Sequence, residues 1–144
     1  MPGLTKEESE RLEKLASELN AQELRAEALR QQLSVLTRSL SEYSVAVETL
    51  KSLQNEPNEK EGLVSVGAGC YIYAKLKTND RVLLGLGAGV MVEKTLSEAT
   101  QLLEGKIKEL QEAVQKTREE LEKASLEAQR LRPEVETLLE KARS

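Results

Sequence analysis

Histidine, tryptophan and phenylalanine are absent from this sequence, and cysteine occurs once, at Cys70. Without His, the common zinc sites and any Ser-His-Asp arrangement are excluded. One Cys excludes an internal disulfide and a metal site built from Cys alone. Tyr43, Tyr71 and Tyr73 are the whole aromatic complement, so a globular core would rest almost entirely on Leu, Val and Ala. No apolar run approaches the about 20 residues that span a bilayer. The opening MPGLTKEESERLEKL is charged where a secretory leader would be apolar. A net charge of −4, with both signs interspersed, lacks the clustered Lys and Arg that nucleic-acid binding requires. The expectation is a soluble, cytoplasmic protein with neither membrane nor nucleic acid as partner.

What is present is the composition of long helices. Charged residues make up 32% of the chain, and Leu, Glu, Lys, Ala and Arg dominate both ends. Leu12, Leu15, Leu19, Gln22, Ala26, Leu29, Leu33, Leu36, Leu40, Tyr43, Val47 and Leu50 follow at alternating intervals of three and four. Leu96, Thr100, Leu103, Ile107, Leu110, Val114, Thr117, Leu121, Ala124, Ala128, Leu131, Val135 and Leu138 do the same. A seam of this period predicts left-handed coiled-coil packing. Thr5-x-x-Glu8 reads as a capping box for the first helix, and Thr95 or Ser97 marks the start of the second. Pro133 is expected to kink or interrupt the second helix. Helices of similar length, roughly 70 Å each at 1.5 Å per residue, favour an antiparallel pair over a parallel two-chain coil.

Between the seams the period changes to that of strands. LVSV, CYIYAKL, RVLLGL and VMVEK are short β-prone stretches separated by GAG, by the polar link Lys77-Thr78-Asn79-Asp80, and by GAG again. The reading is two hairpins with Gly67, Gly69, Gly87 and Gly89 at the turns, where positive φ is needed. The organisation is a helix over 5–54, a linker over 55–62, the hairpins over 63–94 and a helix over 95–142. The predicted fold class is α+β: a long antiparallel two-helix coiled coil with two β-hairpins inserted between the helices. Val64, Val66, Ile72, Leu84, Leu86, Val90 and Val92 are too many apolar residues to leave in water, and no helix face is expected to be free to cover them. The insert therefore reads as an assembly device whose strands join those of other subunits.

Gly85-Leu86-Gly87-Ala88-Gly89 also invites comparison with a phosphate loop. Its spacing is Gly-x-Gly-x-Gly rather than Gly-x-Gly-x-x-Gly, a strand follows instead of a helix, and no Gly-Lys-Ser/Thr is nearby. Adjacent carboxylates such as Glu119 and Glu120 fall between seam positions, with no apolar pocket to raise a pKa. Cys70, at the start of a strand, is expected to be a small buried apolar residue. No enzymatic activity and no cofactor are expected. At the far ends of the helices, Leu4, Leu12, Leu15, Leu19, Leu131, Val135, Leu138 and Leu139 close the coil. Each helix there has one partner only, which leaves part of the stripe open to a bound protein.

The order helix, two hairpins, helix, with LVSVGAGCYIYAKL (Leu63 to Leu76) and VLLGLGAGVMVEKTLSEA (Val82 to Ala99), resembles the α-class subunits of prefoldin. Ser65 stands where that family's LVPVG-like strand would carry Pro. The resemblance implies an ATP-independent holdase in which two α-type and four β-type subunits join their hairpins into a double β-barrel base. It further implies that unfolded clients are held at the coiled-coil tips and passed to a group II chaperonin. On this sequence, the apolar hairpin residues named above would belong to the base and the tip residues would face clients. The alternative is a structural, filament-forming coiled-coil protein related to prefoldin.

Overall fold

The computed structural model describes residues 3–57, 59–77 and 81–144. The order is α1 (Lys6–Gln54), β1 (Lys60–Gly67), β2 (Cys70–Leu76), β3 (Arg81–Gly87), β4 (Val90–Thr95) and α2 (Leu96–Arg143). Two long helices thus enclose two antiparallel hairpins, β1–β2 and β3–β4. The polar link read at Thr78, Asn79 and Asp80 lies outside the described residues. The chain divides into two compact units: Met1–Arg38 with Gln111–Ser144, and Ser39–Leu110.

Both helices begin with the same device. Thr5 N–H donates to Glu8 Oε1 and Glu8 N–H donates to Thr5 Oγ1, each at 3.1 Å. At α2, Glu98 N–H donates to Thr95 Oγ1 at 3.1 Å and Thr95 Oγ1–H donates to Glu98 Oε1 at 2.9 Å. Each box satisfies backbone donors that the first helical turn leaves without carbonyl partners. Thr95 is also the last residue of β4, so the second hairpin runs into its helix with no intervening loop.

In the first unit the helix segments run antiparallel. Rising numbers on α1 meet falling numbers on α2: Glu8 with Lys141, Arg11 with Glu134, Arg25 with Glu120. The core is the predicted seam. Ala26, Leu29 and Ala124 form its centre, with Leu121 packed against them. Val114, Thr117, Ala128, Leu131 and Val135 are buried along α2. Ala26, Ala124 and Ala128 are buried seam positions, where a larger side chain would overpack the core. Of the kink or interruption expected at Pro133, the interruption does not occur: α2 is continuous to Arg143. Proline removes the donor for the Gln129 carbonyl, and Gln129 is exposed, so water can take that donor's place.

In the second unit Val47, Leu96, Ala99, Thr100 and Leu103 are buried. The Thr100 hydroxyl donates to the Leu96 carbonyl at 2.8 Å, which makes a polar residue acceptable in the seam. β1 begins three residues before the apolar pattern, because Lys60, Glu61 and Gly62 pair with Leu76, Lys75 and Ala74. A Cβ on Gly62 would come within 2.8 Å of the Leu76 side chain, so glycine makes room for Leu76 across the ladder.

Candidate functional site

The GAG triplets form the hairpin turns. Gly67, Ala68 and Gly69 have φ of 101°, 51° and 75°; Gly87, Ala88 and Gly89 have 93°, 52° and 77°. Positive φ at both central residues suits the right-handed twist of the flanking strands, and the ladder shifts register just before each turn. No Cβ at these four glycines would touch anything within 4 Å.

The two hairpins differ in what covers them. In β1–β2, Val64 pairs with Ile72 on one face, while Leu63–Tyr73 and Ser65–Tyr71 pair on the other. Val64, Val66 and Ile72 are exposed, and so are Leu63, Tyr71 and Tyr73, the last at 78%. This hairpin offers apolar side chains on both faces. In β3–β4, Val82, Leu84 and Val92 are half-buried. A groove of about 490 Å³ runs between Val82, Leu83 and Leu84 on β3 and Tyr43, Ala46, Leu50 and Leu103 on the helices. The expectation that no helix face would be free to cover the strands is therefore corrected for this hairpin. Leu86 and Val90 remain exposed near its tip. Cys70 is a free, exposed thiol rather than a buried residue, because β2 begins at the uncovered end of the first hairpin.

At the far ends of the helices, the eight apolar residues read from the sequence separate into two groups. Leu131 is fully enclosed and Val135 is 6% exposed, so the helix pair itself covers both. Leu4, Leu12, Leu15, Leu19 and Leu138 are half-buried, and Leu139 is exposed. A cleft beside Glu8 and Arg11 is walled by Pro133, Glu134, Thr137 and Leu138. Sequence reasoning missed Leu24, Val35 and Leu126, all more than half exposed. Their signal was available, since each falls between seam positions and so points away from the partner helix.

Three carboxylates lie below the usual glutamate range: Glu127, through its hydrogen bonds from Arg130, and the two that cap the helices. Hydrogen bonds from Lys141 and then from the Thr5 backbone hold Glu8 below the usual glutamate range. The Thr95 hydroxyl and then its backbone N–H do the same for Glu98. Both are capping groups, not acid catalysts. Among the described residues, no cluster of three or more His, Cys, Asp or Glu could hold a metal. No helix among the described residues is long and apolar enough to cross a membrane.

Two long helices joined through two antiparallel hairpins, the first with apolar side chains exposed on both faces, define the class of fold. Comparison with known proteins gives the family. The family model described as "Prefoldin subunit" matches residues 22–141. The prefoldin subunit alpha of Pyrococcus horikoshii is 36% identical over 129 residues, covering 87% of each chain. That of Archaeoglobus fulgidus is 32% identical over 128 residues, covering 89% of this chain and 93% of its own. In fold the chain is similar to the filamentous PFD of Methanocaldococcus jannaschii, solved by cryo-EM. The TM-score is 0.69 at 24% identity, over 83% of this chain and 98% of that one. The chain belongs to the prefoldin family, in its α class, and is a chaperone subunit that assembles with other prefoldin subunits.

Proposed function

We propose that this chain is the α-type subunit of a cytoplasmic prefoldin hexamer, two α with four β-type subunits. In this reading Val64, Val66, Ile72, Leu84, Leu86, Val90 and Val92 form the assembly surface. Unfolded proteins are held, without ATP, along the half-buried seam residues at the helix tips and are passed to a group II chaperonin. The observation that carries the reading is the first hairpin, whose apolar side chains lie open on both faces. Exposed area of that kind, on strands with unpaired edges, drives association with further strands. At the tips, the partly open Leu side chains offer non-directional apolar contact, which suits clients that share no sequence.

The test is co-expression with a β-type subunit, followed by native mass measurement and an aggregation assay on a denatured client. A closed hexamer that suppresses aggregation without nucleotide is expected. An assembled complex that leaves aggregation unchanged would overturn the holdase reading, and open-ended polymers of this chain alone would favour the filament-forming alternative.

A further inference from the structure

The first unit contains a contact that ties the start of α1 to the end of α2 through one side chain. Glu8 accepts the Thr5 N–H through Oε1 at 3.1 Å and the Lys141 ammonium through Oε2 at 2.5 Å. The residue that caps α1 is therefore also the residue that holds α2. Just before it, a Cβ on Gly3 would lie 3.2 Å from the Lys141 carbonyl, so the chain start rests against the same turn. Immediately beyond it, packing is incomplete: the cleft walled by Pro133, Thr137 and Leu138 opens at Glu8. Arg11 and Glu134, the other charged groups in that cleft, pair at 3.6 Å across it.

We propose that Glu8 and Lys141 form a latch that governs opening of the helix tips, and with it access to the enclosed apolar residues Leu131 and Val135. Three features support the assignment. The latch couples two helix ends that would otherwise fray independently, because the carboxylate that caps α1 through one oxygen holds Lys141 through the other. The proline and the cleft beside it reduce the apolar contact that would keep the ends closed without it. The side chains behind it, fully enclosed at Leu131, are the apolar surface that opening would release. The pair is partly exposed, with side-chain accessibilities of 26% for Glu8 and 52% for Lys141, so salt screens it. The latch is accordingly set by ionic strength at neutral pH.

That opening serves client capture rests on the function proposed above; the latch itself does not. The experiment is site-resolved amide hydrogen exchange on the full chain, assembled with its β-type partner, at low and at high salt. Lys141→Met removes the ammonium and leaves the Thr5–Glu8 box intact, and Glu8→Gln removes the charge from the other side. An exposed ion pair of this kind changes the open population by about 2- to 5-fold. Exchange in the first turns of α1 and the last turns of α2 should rise by that factor in both variants at low salt. The difference from the native protein should vanish near ~1 M salt. Arg30→Met, which breaks the pair with Glu27 within α1, should leave tip exchange at the native rate. Native exchange rates in Lys141→Met at low salt would overturn the latch. Client capture is read in parallel. If no variant and no native protein holds a client, the holdase reading fails while the exchange result still decides the latch.

Discussion

Replacing Gly67 by Ala adds one methyl group that meets nothing within 4 Å, so its effect comes from the backbone alone. At φ 101° the residue lies beyond the left-handed well that L-residues occasionally occupy, a strain of about 1–3 kcal/mol. The smaller conformational freedom of Ala in the unfolded chain offsets about 0.4–1 kcal/mol. The net loss is about 1–2 kcal/mol, borne by the first hairpin. Ala68, one residue on, sits at φ 51°, inside that well. Ala68→Gly removes a penalty of about 1–2 kcal/mol and adds an entropic cost of about 0.5–1 kcal/mol. It should therefore be neutral or mildly stabilising. An isolated hairpin is barely stable, so the readout is amide exchange across β1–β2 in the assembled protein. Gly67→Ala should speed it about 5- to 30-fold, and Ala68→Gly should not speed it. Equal damage from both substitutions would refute the argument, since packing at the turn would then matter more than φ.

Other outcomes follow from the same structure. Leu131→Ala empties the one fully enclosed seam position and should lower stability by about 2–4 kcal/mol, read from thermal unfolding by circular dichroism. Gly105→Ala fills an exposed helical site with open space around it and should raise stability by about 0.5–1 kcal/mol in the same assay. Glu8 and Glu98 have folded pKa values lowered below the ordinary one. Their contribution is therefore complete above the ordinary glutamate value and is lost as pH falls through the lowered ones. Protection of the amides in the first turns of α1 and α2, taken relative to their intrinsic exchange rate at each pH, should fall below about pH 4. Val64→Lys with Ile72→Lys puts two ammonium groups on one face of the first hairpin, and native mass measurement should show loss of the complex with β-type subunits.

The helical seams were legible because a seven-residue period leaves little freedom: every named seam residue from Leu12 to Leu50 and from Leu96 to Leu138 is buried or half-buried. The Thr5–Glu8 box was legible because its two hydrogen bonds are local. What the sequence did not reveal depends on contacts between distant segments. The cover that Tyr43, Leu50 and Leu103 give to β3 cannot be read from strand alternation. Nor can the enclosure of Leu131 and Val135, which share the seam spacing of half-buried Leu138. Pro133 does not interrupt α2, since the residue whose carbonyl loses its donor, Gln129, is exposed to water. Lys141 carries no signal in the sequence, because only the antiparallel pairing sets it against Glu8.

The division between hairpins that assemble and helix tips that hold a client is tested most directly by separating the two. Leu12→Ser with Leu138→Ser reduces the apolar surface at the tips without touching a strand. The complex with β-type subunits should keep its native mass, while its suppression of client aggregation without ATP falls sharply. Unchanged suppression from an intact complex of this variant would contradict the account.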